Sequence, residues 1–347
     1  MILENLVFQR FIIEETGRMS SFSRMKFGYG LKQVEETSDK RGNNMAEKNT
    51  NRAKQIAPLL IMLAGILWGC MGIFVRELNQ LGLKSMDIVA LRAVFTTLML
   101  GLFLIVYNRK LLVIHVKDLW CFLGTGLCSI VFFNYCYFKA MMMTSLSVAA
   151  VLLYTAPAFV MILSYFLFRE PFTAKKLTAL VMTFAGCVCV TGIAGGGETL
   201  SITGLLTGLG AGVGYALYSV FGRFALERGY HSLTISFYTF LFATAGTIFF
   251  VDTKRLITVS CGSVTKIGFV LLFAAVSTVI PYITYTIGLK YTDNGRASII
   301  ASVEPVVATL LGVLLFHEKM SFMNLIGGIL VLGAIVICNN NPSPEWE

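Results

Sequence analysis

The sequence predicts an all-α membrane protein, built from ten transmembrane helices arranged as two inverted five-helix repeats. Three observations predict it. The 347 residues are 56% hydrophobic and only 14% charged, with a mean hydropathy of +0.74. A water-soluble domain carries about 25% charged residues. The apolar residues fall into ten long runs separated by short connections. Finally, the second half of the chain repeats the first at an offset of 147 to 148 residues. The composition excludes an ordinary soluble enzyme, a disordered chain, collagen and a coiled coil, each of which needs a different bias.

The charges are unevenly spread. Ten basic and seven acidic residues lie in the first 55 positions, and two more acids, Glu345 and Glu347, lie at the C-terminal end. That leaves 28 charges for the roughly 290 residues between them. Residues 1–55 read as a polar, disordered cytoplasmic extension. The apolar stretch Leu6 to Ile13 is interrupted by Gln9 and Arg10 and is too short for a signal peptide. Met45 opens the run MAEKNTNRAK, which reads as an alternative start. Residues 339–347 read as a short cytoplasmic tail.

A membrane-spanning helix needs about 20 apolar residues. Ile56–Val75 is the first such run, and Ile88–Tyr107, broken only by Arg92, is the second. Leu119–Phe138 is the third, and Ala140–Phe168 holds a turn followed by the fourth. Leu177–Thr191 is the fifth and leads to the glycine-rich loop Gly195–Gly197. The second half supplies Thr203–Gly222, Leu233–Val251, Ile267–Leu289, Ala297–Phe316 and Ser321–Cys338. None alternates as a barrel strand would, so backbone polar groups must be satisfied within helices. With a cytoplasmic N-terminus, the inside loops carry ten basic residues and the outside loops seven. This bias places both termini in the cytoplasm of a cell whose plasma membrane the chain crosses ten times.

The repeat is carried by particular residues. At an offset of 148, Tyr137 falls on Tyr285, Thr144 on Thr292, Pro157 on Pro305 and Glu170 on Glu318. At 147, Gly65 falls on Gly212, Phe74 on Phe221 and Arg76 on Arg223. The two repeats are therefore read as 56–193 and 203–338. Each has five spans, an odd number, so the second enters the membrane from the opposite side. Inverted repeats of this kind hold substrate near the midplane, between the halves.

Several runs have a specific look. Tyr137-Phe138-Lys139-Ala140 leads to Thr144-Ser145-Leu146-Ser147-Val148-Ala149-Ala150, then Ala156-Pro157 and Phe168-Arg169-Glu170. The second copy has Ala297-Ser298, Glu304-Pro305-Val306, Gly312, Leu315-Phe316-His317-Glu318 and Gly327-Gly328. This pattern resembles the EamA family of the drug/metabolite transporter superfamily, over about 57–191 and 203–338. The resemblance implies a ten-helix exporter of amino acids, other metabolites or drugs, with a central cavity lined from both halves. The first copy departs from the pattern in having Ala156 where the second has Glu304.

The candidate substrate path follows from polar residues at membrane depth, where a charge costs roughly 2.5–3.5 kcal/mol and faces the bundle interior. Glu304 lies eight residues into its run and precedes Pro305, which removes a backbone donor. It reads as a site for an amine or a proton, or as a structural acid bonded to a helix break. Arg92 reads as a cavity cation, or as a residue snorkelling to the interface. Trp68, Asn134, Tyr135, Tyr154, Tyr215, Tyr218, Tyr282 and Tyr285 supply an apolar wall with placed polar groups. Packing or an interfacial aromatic belt is the alternative for each of them. Lys139, Arg223 and Lys290, at run ends, read as interface anchors. Gly204, Gly208 and Gly212, four apart, let helices approach closely.

Other chemistry is not written in the sequence. His115, His231 and His317 share no motif, and Cys187 and Cys189 point to different helix faces. No metal, cofactor, phosphate-binding loop or catalytic motif is expected. Nor is a nucleic-acid partner. The partners are a small-molecule substrate and the lipid bilayer, with homo-oligomerisation left open. The expected function is secondary transport of a small metabolite (amino acid, amine or drug-like solute), in the direction of export. A membrane-embedded enzyme or a lipid-handling protein is the alternative, and one isolated carboxylate at depth argues against it.

Overall fold

The computed structural model describes residues 32–191, 201–318 and 320–339, with the backbone alone at 32–49 and at 261. The expected disordered character of the first 31 residues, the glycine-rich loop and the last residues of the C-terminal tail lie outside the described residues. The chain divides into two compact units, Met1–Arg52 and Ala53–Glu347. In the first, the described backbone is helical from Lys32. The second is the membrane body.

Among the described residues, ten helices are long and apolar enough to cross a membrane. They are α1 (Thr50–Gln80), α2 (Ser85–Tyr107), α3 (Val116–Met143), α4 (Leu146–Phe168) and α5 (Ala174–Thr191). The second half supplies α6 (Ile202–Glu227), α7 (Ser232–Phe250), α8 (Val264–Lys290), α9 (Asn294–Phe316) and α10 (Phe322–Asn339). A short helix, Thr253–Cys261, joins α7 to α8. No strand occurs among the described residues.

The local devices recur in both halves at the offset seen in the sequence. Gly82 and Gly229, 147 apart, take positive φ of 87° and 79° just past α1 and α6, where a side chain would be strained. Ser145 and Asp293, 148 apart, cap α4 and α9 by accepting from the amides of Val148 and Arg296. Arg169 and His317 close the same two helices in the left-handed region. Both α4 and α9 are interrupted, at Tyr154–Thr155 and Ser302–Val303, and each restarts just ahead of Pro157 or Pro305. Proline suits the first helical turn, where its missing N–H is no loss. α3 and α8 each contain a widened turn, Gly124–Val131 and Ala275–Val279, which nothing in the sequence announces.

Residues one repeat apart meet where the halves join. Thr97 of α2 and Thr244 of α7 hydrogen-bond at 3.2 Å, and Trp68 of α1 lies edge-on to Tyr215 of α6 with ring centroids 6.4 Å apart. Such contacts are what a two-fold relation between the copies requires. α6 packs on α3 and α4, α2 on α7, and α5 on α10. The glycine spacing in α6 serves that packing: a Cβ built at Gly208 would meet Leu152, and one at Gly212 would meet Thr155. Leu102, Val106, Phe166 and Leu314 point outward and are exposed, as a lipid-facing surface demands.

Candidate functional site

The restart of α9 places Glu304 at the N-terminal end of a half-helix near the middle of the span. The unpaired amides of such an end favour negative charge. Glu304 is partly buried and accepts a long hydrogen bond, 3.5 Å, from the Tyr215 hydroxyl. It lines a small pocket with Tyr154, Pro157, Tyr215, Ser298 and Ser302. Pro305 beside it is buried. The equivalent restart of α4 offers Ala156 to the same pocket, so the charge comes from one repeat only.

A second pocket adjoins the first through Tyr215 and is walled by Trp68, Ser129, Phe133, Tyr218, Tyr282 and Tyr285. The rings interlock. Trp68 lies 5.2 Å from Tyr282 and 5.4 Å from Tyr285, centroid to centroid. Tyr218 stands edge-on to Tyr282 at 4.9 Å. Tyr218 and Tyr285 spend their hydroxyls on Thr286 and Ser219, at 2.8 and 2.7 Å, so these rings are held rigidly. The Trp68 Nε1 and Ser129 Oγ are buried without a hydrogen-bond partner. Each pocket has room for about a water or two, so a solute enters only if the helices part.

Arg92 is 3% exposed, which excludes the snorkelling reading. Its Nη1 lies 3.3 Å from the Met71 sulfur, and its Nε has no partner. Arg92 and Glu304 form no ion pair with one another. An ionised group in that position costs free energy unless something compensates it.

Not every expected residue joins this cluster. Tyr135 is 41% exposed, against Phe250 and Lys139 on the outer surface, because its position on α3 faces away from α6. Asn134 is buried but donates to the Ile130 carbonyl at 2.7 Å, inside its own helix, where the widened turn frees acceptors. Arg223 is no interface anchor: its Nη1 donates to the carbonyls of Leu289 and Thr292, at 2.8 and 3.2 Å. Sequence reasoning missed Ser129, Phe133, Ser219 and Thr286, whose small or apolar character carries no signal before the helices are brought together. No group of three or more potential metal ligands occurs among the described residues.

Known proteins share this architecture. A solved crystal structure superposes with a TM-score of 0.68, covering 82% of this chain and 96% of the other. Its sequence identity is 20%, so it speaks to the fold alone. Among curated relatives, an uncharacterized transporter of Archaeoglobus fulgidus is 29% identical over 82% of this chain and 97% of its own length. The uncharacterized transporter YxxF of Bacillus subtilis is 24% identical over 83% of this chain and 91% of its own length. YetK, an uncharacterized transporter of the same organism, is 24% identical over 71% and 76%. The EamA-like transporter family matches residues 55–192 and again 202–340, one match per set of five spans. The chain is a multi-pass membrane transporter, and it belongs to the EamA-like transporter family.

Proposed function

We propose that this chain is a secondary transporter that exports a small amphipathic metabolite, of the amino-acid, amine or drug-like class, by alternating access around the central pockets. The observation that carries the reading is the pair Arg92 and Glu304. They are opposite charges at membrane depth, unpaired with each other: Glu304 lines the pocket that meets the aromatic wall at Tyr215, and Arg92 is buried against Met71. A solute bearing both an amine and an anionic group would satisfy both residues, and its apolar part would lie against Trp68 and Tyr282. The substrate path is thus Glu304, Pro305, Arg92, Trp68, Tyr154, Tyr215, Tyr218, Tyr282 and Tyr285. The basic residues of the inside loops support a plasma-membrane protein with both termini cytoplasmic.

The test is flux into and out of proteoliposomes, with zwitterionic, cationic and anionic solutes of similar size offered in parallel. The proposal expects the zwitterion to be carried best. It also expects Arg92→Met to lose anion-bearing solutes and Glu304→Gln to lose amine-bearing ones. Equal flux of all three classes through both variants would overturn it.

A further inference from the structure

Two symmetric sets of residues at the two membrane faces are found in different states. On the face where α8 turns into α9, the corner Leu289–Gly295 is gripped at both ends. Glu170, just past α4, accepts from the amides of Asn294 and Gly295 at 2.8 and 3.2 Å. Arg223, near the end of α6, donates to the carbonyls of Leu289 and Thr292. Lys176 pairs with Asp293 at 3.0 Å, and Asn294 donates to Ser164. The corner is largely buried: Leu289 and Asn294 are 0% exposed and Thr292 5%, while Lys290 is exposed.

The opposite face holds the same parts. One repeat away, Glu318 corresponds to Glu170 and Arg76 to Arg223, while Met141–Ser147 of the α3–α4 corner corresponds to Leu289–Gly295. There the parts are apart. Arg76 and Glu318 face each other at 3.7 Å, and both side chains are more than half exposed. Met142 is 88% exposed and Leu146 61%. The acid that would reach the α4 N-terminus and the arginine that would reach the α3 carbonyls hold each other in the open, with the Arg76 guanidinium 4.1 Å over the Phe316 ring.

We infer that Glu170 with Arg223, and Glu318 with Arg76, are two alternating clamps, and that transport exchanges which corner is gripped. In the conformation seen, the α8–α9 clamp is engaged and the α3–α4 clamp is released. In the mirror conformation, Glu318 grips the amides of Leu146 and Ser147 and Arg76 grips the carbonyls of Met141 and Thr144, while Glu170 and Arg223 let go. A carboxylate on two backbone amides is a charge-assisted contact. Each clamp therefore biases the equilibrium by its own strength. The clamps rest on the alternating-access reading above and name the residues that carry it out.

The test uses the full chain in lipid nanodiscs, where both faces are wet. Single reporter cysteines, Leu146→Cys or Thr292→Cys, are labelled with a water-soluble maleimide against the parent as background. Glu170→Ala is expected to raise labelling at 292 and lower it at 146, changing their ratio about tenfold, the scale of a lost hydrogen bond to a charged group. Arg223→Gln should move it the same way. Adding Glu318→Ala to Glu170→Ala should return the ratio towards the parent, because the competing clamp is then lost too. Should Glu170→Ala misfold, judged by size-exclusion profile, Arg223→Gln alone decides. A ratio unmoved by Glu170 and Arg223 variants, or one that Glu318→Ala drives further instead of back, overturns the inference. Labelling needs no substrate, so its failure is separable from failure of the flux assay.

Discussion

The contact between α5 and α10 makes a quantitative prediction at two adjacent glycines. A Cβ built at Gly327 would stand 2.5 Å from the Gly186 carbonyl oxygen and 2.7 Å from the Val190 amide nitrogen. Both neighbours are backbone, so no side chain can step aside. An ordinary carbon–carbon contact is about 3.5–4.0 Å, so Gly327→Ala must push the helices apart by close to an ångström. That forfeits part of the contact along Gly186, Ala334 and Val331. It also strains the hydrogen bond from Asn324 to the Val190 carbonyl, now 2.8 Å. Overpacking of this kind costs about 1–3 kcal/mol. At Gly328 the same Cβ would meet only Val306 Cγ1, at 3.6 Å. There alanine relieves the helix of a flexible residue and stabilises by about 0.5–1 kcal/mol. We expect thermal unfolding in detergent to fall by several degrees for Gly327→Ala, at about 2–4 °C per kcal/mol, and to hold or rise for Gly328→Ala. Equal melting temperatures for the two variants would refute the argument, because they differ only in what the new methyl meets.

Four further outcomes are expected. Glu304→Gln should leave folding and insertion intact and lower flux of an amine-bearing solute at least about tenfold, or about 1.4 kcal/mol; parental flux at every pH would make Glu304 structural. Arg92→Met should hold or raise thermal stability, since it removes a buried charge that lacks an ion-pair partner, while abolishing flux of an anion-bearing solute; a large loss of stability would assign Arg92 to packing. Tags at either terminus should report the cytoplasm, and cysteines introduced between Gly195 and Glu198 should react with an impermeant reagent from outside; reaction only after lysis would reverse the orientation. Finally, burial and then the charge of Asp293 push the Glu170 carboxyl above its usual range, against the amides of Asn294 and Gly295 and the ammonium of Lys176. The state in which this pKa is raised binds the proton more tightly, so lowering the pH through that range should favour the engaged α8–α9 clamp. In a Glu318→Gln background, the ratio of labelling at Thr292→Cys to that at Leu146→Cys, in which the pH dependence of thiolate formation cancels, should fall with acid, and Glu170→Gln should abolish that dependence.

The ten spans, their order and their pairing into two sets of five were legible in the sequence. A run of about 20 apolar residues in water has one destination, and a helix is the only way to satisfy its backbone there. The asymmetric acid at Glu304, next to Pro305, was legible for the same reason: a charge at depth is too costly to be incidental. Residue type alone could not say which side of a helix faces inward. Tyr135 and Tyr137 look alike in the sequence, yet Tyr135 lies on the outer surface, and Asn134 is spent on a carbonyl that a widened turn left open. Arg223 looked like an anchor because a basic residue at a span end can reach either the headgroups or a neighbouring helix. Tertiary structure chose the latter by bringing the Leu289 and Thr292 carbonyls within reach. Hydrophobic periodicity encodes the amount of surface to be buried. The partner for each polar group depends on helix rotation and on the joining of residues more than a hundred positions apart, and packing alone supplies that.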